Sequence, residues 1–306
     1  MAALRLRRAG LLTTVQDLGR PGLGRFGVSA SGAMDRLALV VANRLVGNPD
    51  GSAALELTAS GPEVEILADL VFALAGANLS PTLDGEPIEG WRAHRAGAGS
   101  VLAFGPRRQG ARCYLAVAGG VAVPPVFGSA ATDLGAGIGG VDGRPLRVGD
   151  ELAIGAVPVG PERHLHPALL AAWADPFTLH FVPEDDGPCE LAAFIGAAWR
   201  VSPRSDRTGY RLDGPALPAP AAASMVSEPI APGTIQLPPD GRPIVLMADR
   251  QTVGGYPRLG AVIAADLPKA GQLWLGHEVR FAPVTLAAAR AALAEQHALL
   301  ARGVTR

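Results

Sequence analysis

Residues 14–48, TVQDLGRPGLGRFGVSASGAMDRLALVVANRLVGN, set Gln16, Asp17, Arg20, Arg25, Ser31 and Asp35 among Gly19, Gly22, Gly24, Gly27 and Gly32. Glycine at this density lets backbone N–H groups turn toward a ligand and lets the ligand approach the chain closely. Arginine adds a fork of donors that matches a carboxylate or phosphate, and an aspartate beside it can orient a donor or take a proton. The same residues could instead form a tight loop whose polar groups bond only one another.

A second cluster lies in the other half of the chain. Arg207 and Tyr210 precede Gln236, and the stretch PIVLMADRQTVGGYP then brings Asp249, Arg250, Gln251, Thr252 and Tyr256 together. There an apolar run, residues 244–248, stops abruptly in four polar side chains and a Gly-Gly turn. Functional groups commonly occupy such a strand end, because a rigid element aims the loop. Arg250 is read as an anion ligand, with Asp249 orienting it or acting as a base. The alternative is an Asp–Arg pair that braces a turn.

Several chemistries are excluded by what is missing. Lys269 is the only lysine of 306 residues, so no Gly-Lys-Ser/Thr phosphate loop exists. In LPKAG that lysine is also a poor biotin acceptor. Net charge is −1, which leaves no basic footprint for nucleic acid or an anionic membrane. Cys113 and Cys189 stand far apart in apolar contexts and read as reduced, buried thiols of a cytoplasmic protein. His164 and His166 form an H-x-H without a third ligand nearby, so no metal site is expected. No serine sits in a nucleophile elbow. No signal peptide and no run of 18 apolar residues is seen.

The elements that must position these clusters are mostly strands. Residues 3–8 alternate apolar and basic side chains, and short strands follow from residue 53 to 104 at a spacing typical of a barrel or sandwich. Ser31 reads as the N-cap of a helix carrying Met34, Leu37, Val41 and Leu45, with Asp35 in its first turn and Gly47 closing it. The stretch PVGPERHLHPALL, residues 158–170, reads as an interdomain linker. Motifs of the first half are echoed in the second: LRVGDEL (146–152) by LWLGHEV (273–279), and the Gly110…Gly119-Gly120 region by Gly241…Gly254-Gly255. Two diverged copies of one β-rich unit explain the echo. Residues 285–303 form a terminal helix capped by Thr285.

TVQDLGRPGLGRFGVSASGAMD, LELTASGP, YLAVAGG, FGSAATD, GRPLRVGD, SDRTGYRLDGP and PIVLMADRQTVGGYP together resemble the biotin-dependent carboxyltransferase family, also labelled allophanate hydrolase subunit 2 or KipA. The match runs from about residue 14 to 281. One departure is Ala130-Ala131 before Thr132, where the family pattern has a basic residue or serine. The resemblance implies a mainly β fold with a few helices (α+β), built as two related cyclophilin-like β-barrel domains, residues 1–160 and 161–306. It implies a bacterial heteromeric complex resembling ATP-dependent 5-oxoprolinase, with a KipI-like B subunit, a LamB/YcsF-like A subunit, and ATP at the level of the complex. No metal and no covalent biotin are expected on this chain. Asp17, Arg20, Asp249 and Arg250 are the expected catalytic residues. Gln16, Ser31, Gly32, Asp35, Arg207, Tyr210, Gln251, Thr252 and Tyr256 are the expected substrate-binding ones. The family also implies two other readings: a carboxyltransferase half acting on urea or a related amide, and a non-enzymatic regulator that binds a KipI-like protein.

Overall fold

The computed structural model describes residues 2–155, 163–173, 177–185, 191–218 and 226–305. Within it the chain divides into two compact units. The first comprises residues 1–20, 31–169 and 300–306; the second comprises 21–30 and 170–299.

The strands of the first unit are β1 (Ala2–Arg8), β2 (Leu12–Gln16), β3 (Ala54–Thr58), β4 (Glu63–Ile66), β5 (Leu70–Asn78), β6 (Pro81–Leu83), β7 (Glu86–Pro87), β8 (Arg92–Ala96), β9 (Val101–Phe104), β10 (Gln109–Val117), β11 (Val121–Ala122) and β12 (Glu151–Ile154), with the pair β13 (His164–Leu165) and β23 (Val304–Thr305). They form two main sheets, ordered β11-β12-β1-β4-β9-β6-β7 and β2-β3-β10-β5-β8. One apolar core joins them: Leu4, Leu6, Val64, Ile66 and Leu102 from the first sheet meet Val15, Leu55, Leu57, Phe72, Cys113 and Leu115 from the second. Burial pushes the Cys113 thiol up to about 12, as expected of an inert packing thiol. Cys189 lies outside the described residues.

The other face of the second sheet carries α1 (Arg36–Leu45), which packs on β5 and β10. In register on that face are Ala73, Ala75 and Ala116, all buried, and their small size lets the helix lie close. The helix is held at its start by Asp35, whose side chain accepts the Ala38 N–H at 2.9 Å. Asp35 is therefore the N-cap, not a first-turn residue, and Ser31 is not the cap. Four residues separate Ser31 from the first helical position, and its hydroxyl bonds elsewhere.

The second unit closes its strands into a barrel. Its order is β14 (Thr178–Pro183), β21 (Arg258–Val262), β18 (Thr234–Gln236), β19 (Ile244–Leu246), β16 (Gly209–Asp213), β15 (Trp199–Val201) and β22 (Glu278–Pro283). A parallel pairing of β22 with β14 completes the ring. Inside, Phe194 lies 4.7 Å from Phe281 and 5.4 Å from Phe181, and the Trp199 indole donates to the Phe194 carbonyl at 3.0 Å. The unit also has a small sheet of β17 (Glu228–Pro229) and β20 (Val253–Gly254), and the helices α2 (Leu191–Gly196), α3 (Leu267–Gly271) and α4 (Leu286–Arg302). Thr285 caps α4, accepting the Ala288 N–H at 3.2 Å.

The echoed motifs have different outcomes. In both LRVGDEL and LWLGHEV a glycine with positive φ, Gly149 at 89° and Gly276 at 79°, turns the chain into a strand, β12 or β22. The other echo does not correspond in this way: Gly119-Gly120 lie in the turn region just after β10, whereas Gly254 ends β20, beyond a turn at residues 248–249. Of the stretch read as a linker, residues 158–162 lie outside the described residues; the rest includes β13 and the start of a 3-10 turn, Pro167–Trp173. Among the described residues, no helix is long and apolar enough to cross a membrane.

Candidate functional site

In the first unit, four of the residues selected from the sequence converge on one segment, residues 126–132. Asp17 accepts three hydrogen bonds, each of 2.7 Å, from the Gly19 N–H, the Ser129 hydroxyl and the Ala130 N–H. Arg20 donates through Nε to the Val126 carbonyl at 3.3 Å and through Nη2 to the Ala131 carbonyl. Gln16 donates through Nε2 to the Thr132 carbonyl at 3.0 Å and to Thr14 Oγ1 at 3.1 Å. Ser31 donates to that same Thr132 carbonyl at 3.1 Å. All four side chains are buried, Gln16 completely.

Local backbone chemistry makes this convergence possible. Ser31 and Gly32 both take positive φ, 49° and 92°. A Cβ on Gly32 would sit 2.7 Å from the Gly19 nitrogen, so only glycine allows the two turns to touch. Gly139, at φ 73°, plays the same part for Arg20: a Cβ there would overlap the Ala131 carbonyl and lie 2.8 Å from Nη2. The departure from the family pattern at Ala130-Ala131 thus falls where backbone atoms make the contacts: Ala131 supplies a carbonyl and Ala130 an N–H.

Behind these residues lies a polar layer that residue types and spacing do not single out. Thr14, Glu56 and Tyr114 stand directly across from one another on the α1-facing side of the second sheet, with Thr58 and Arg112 in the next row. All are at most 5% exposed. The Tyr114 hydroxyl donates to Glu56 Oε2 at 2.7 Å, and that oxygen also accepts the Met34 N–H at 2.9 Å. The Asp35 N–H donates to Tyr114 Oη at 2.8 Å. Burial, and then the charges of Glu56 and Asp35, raise the Tyr114 phenol well above its ordinary range, so it serves as a neutral donor. Alternation in LELT and ARCYLAV reveals that these side chains share a face. It suggests a solvated face, however, because α1 comes from a distant part of the chain.

In the second unit, Arg207 and Asp249 form a two-pronged ion pair, Nε–Oδ2 at 2.8 Å and Nη2–Oδ1 at 3.0 Å, with side chains 5% and 6% exposed. The backbone repeats the link through the Asp249 N–H and the Arg207 carbonyl at 2.9 Å. The partner that holds Asp249 is thus Arg207, and not its sequence neighbour Arg250 as expected. Arg250 donates to the Ile230 carbonyl at 3.1 Å and the Met247 carbonyl at 3.4 Å. Gln251 lies 3.4 Å from Gln236, Tyr210 is buried, and Tyr256 is 42% exposed. Gly24 of the glycine-rich segment lies beside Thr252 in this unit: a Cβ on it would be 3.9 Å from the threonine Cβ.

A cavity of about 360 Å³ opens elsewhere in the first unit, lined by Leu74, Ile88, Trp91, Gln109 and Cys113 among others; none of the residues selected from the sequence lines it. Among the described residues, no cluster of three or more His, Cys, Asp or Glu side chains could hold a metal ion.

Residues 26–283 match the family model described as "Carboxyltransferase domain, subdomain A and B". The chain is 40% identical to the C subunit of 5-oxoprolinase from Escherichia coli over 96% of its own length and 95% of that protein's. The crystal structure of TTHA0988 superposes with a TM-score of 0.83 at 39% identity, covering 92% of this chain and 55% of that one. The crystal structure of the K. lactis urea amidolyase superposes with a TM-score of 0.91 at 28% identity, covering 98% of this chain and 20% of that one. A mainly β chain with a closed seven-stranded barrel, matched to that family over most of its length, belongs to the carboxyltransferase-domain family of subdomains A and B.

Proposed function

We propose that this chain is the C subunit of a cytoplasmic ATP-dependent 5-oxoprolinase, which opens the lactam of 5-oxoproline to glutamate. Its partners are a KipI-like B subunit and a LamB/YcsF-like A subunit, and ATP belongs to the complex. The observation that carries this reading is one of extent: the likeness to the 5-oxoprolinase C subunit runs end to end in both proteins, 96% and 95%. The urea amidolyase likeness occupies 20% of a far larger chain.

The chemistry of the buried polar groups suits that reaction. Opening a lactam puts negative charge on the carbonyl oxygen as water adds. Donors already fixed in place, such as Arg20 on its two carbonyls, stabilise such charge without reorganising. Gln16, Asp17 and Ser31 hold that arginine's segment.

Mixing this chain with the purified A and B subunits, ATP and 5-oxoproline tests the proposal. Glutamate should form only when all three proteins are present. Full turnover without this chain would refute it. A second reading, a carboxyltransferase component working on a urea-like amide, is favoured by the family description itself. It predicts amide-dependent activity that avidin abolishes.

A further inference from the structure

Among the buried polar atoms of the first unit that have no hydrogen-bond partner among the described residues, two are chemically complementary: Gln16 Oε1, an acceptor, and Arg20 Nη1, a donor. Their residues are 0% and 2% exposed, so bulk water does not serve them. An unmet buried group costs far more than an average hydrogen bond contributes, and a charged donor costs most. The orientation of the Gln16 amide is not arbitrary. Its nitrogen faces the Thr132 carbonyl at 3.0 Å, which can only accept, so the oxygen must be the atom left unmet. Arg20 is likewise committed through Nε and Nη2 to the carbonyls of Val126 and Ala131, leaving the two protons of Nη1. Ala131 and Thr132, which anchor the two side chains, are consecutive residues about 3.8 Å apart. The two unmet groups therefore belong to side chains anchored on adjacent peptide groups.

From this pair we infer that Gln16 is a specificity-determining residue that reads an N–H. Its Oε1 accepts the N–H of an amide or lactam ligand, while Arg20 Nη1 donates to the ligand's carbonyl oxygen. The inference rests on the reading above that the ligand is an amide, and it adds a restriction: a tertiary amide, with no N–H, is rejected. A site built to bond an N–H discriminates strongly against an analogue without it, because its own acceptor is then left buried and unmet.

The test uses the full-length chain and two probes of the same shape, 2-pyrrolidinone and N-methyl-2-pyrrolidinone, with binding followed by NMR titration. The N–H lactam should bind at least about 10-fold tighter than its methylated analogue. Gln16→Met, which keeps the side chain's length, should erase that difference, and Gln16→Glu, which keeps the acceptor, should retain part of it. Thermal unfolding of each variant shows that it is folded; should Gln16→Met not fold, Gln16→Glu carries the comparison. Equal binding of the two lactams, binding of neither, or a preference that survives Gln16→Met would overturn the inference and leave an ordered water as the occupant of the pair. The complex supplies the separate arm. If it makes glutamate and Gln16→Met leaves the KM for 5-oxoproline unchanged, the inference fails and the oxoprolinase reading stands. If the complex makes no glutamate but the lactam preference holds, the reverse is true.

Discussion

Gln16 and Ser31 donate to one atom, the carbonyl oxygen of Thr132, at 3.0 and 3.1 Å. Thr132 is itself fixed, because its N–H and hydroxyl both reach the Val15 carbonyl, at 2.9 and 3.0 Å. The two ends of the glycine-rich segment, one on a strand and one at a strained turn, are thus tied to a single peptide group of the same unit. Ser31 holds a left-handed φ of 49° there, a conformation that costs a non-glycine residue energy and persists only where surrounding contacts enforce it.

Asp17 should be the most sensitive residue of this cluster. Its carboxylate takes two backbone N–H groups and one hydroxyl. Asp17→Asn puts an NH₂ where a donor already points, and should destabilise the chain by about 2–3 kcal/mol. Ser129→Ala, which removes one of the three donors, should cost about 1 kcal/mol. Urea unfolding of the two variants checks the order; a milder Asp17→Asn would show that the carboxylate is not the organising group.

Two nearby glycines separate strain from collision. Gly137 and Gly139 both have positive φ, 66° and 73°, yet a Cβ on Gly137 meets nothing within 4 Å, while one on Gly139 meets the Ala131 carbonyl and Arg20. Gly137→Ala should cost about 1 kcal/mol, the left-handed penalty alone. Gly139→Ala should cost clearly more and should also lower turnover of the complex, since it displaces the arginine's anchor. Equal costs would mean that the Ala131 carbonyl yields freely.

The Arg207–Asp249 pair is buried on both sides, so removing one partner strands the other. Arg207→Ala should destabilise by about 3–5 kcal/mol, and an apolar double replacement, Arg207→Met with Asp249→Leu, should recover much of that. A double-mutant cycle by denaturant unfolding measures the coupling. Additive single effects would contradict a closed ion pair.

Tyr114 predicts a pH dependence. Its phenol is raised in the folded chain by burial and by Glu56 and Asp35, whereas in the unfolded chain it ionises near pH ~10. Below that pH both states are protonated and the full contribution is present. Above it the unfolded state loses its proton first, so stability falls as pH rises. Cys113, raised to about 12, acts in the same direction from a lower starting point. Tyr114→Phe should flatten the decline between about pH 10 and 11 while leaving the cysteine's share, and should cost about 1–3 kcal/mol at neutral pH because the Asp35 N–H loses its acceptor. Unfolding free energies across that range decide it; an unchanged slope would sink the assignment.

Much of the architecture is legible in the unfolded chain. Period-two alternation locates the strands of the first unit, and the Met34–Leu45 spacing locates α1. The start of that helix is not legible, because serine and aspartate cap equally well by type. What decides between them is which side chain meets an N–H of the first turn, and here Asp35 meets that of Ala38. The cluster at Gln16, Asp17 and Arg20 stands out because residue types that bind anions rarely crowd among so many glycines. Its partners do not, since Ser129 and the Ala131 and Thr132 carbonyls lie more than a hundred residues further along.

By itself, the order of amino acids settled composition, periodicity and the places where only glycine can turn, because these depend on each residue and its near neighbours. It also carried the family likeness, which is a property of residues in sequence. Tertiary structure alone decided which polar groups are satisfied. Asp249 found Arg207, Glu56 and Tyr114 became interior when α1 closed over them, and Gln16 Oε1 and Arg20 Nη1 were left unmet. Burial and hydrogen bonding are fixed by what arrives from elsewhere in the chain, and no local pattern encodes that arrival.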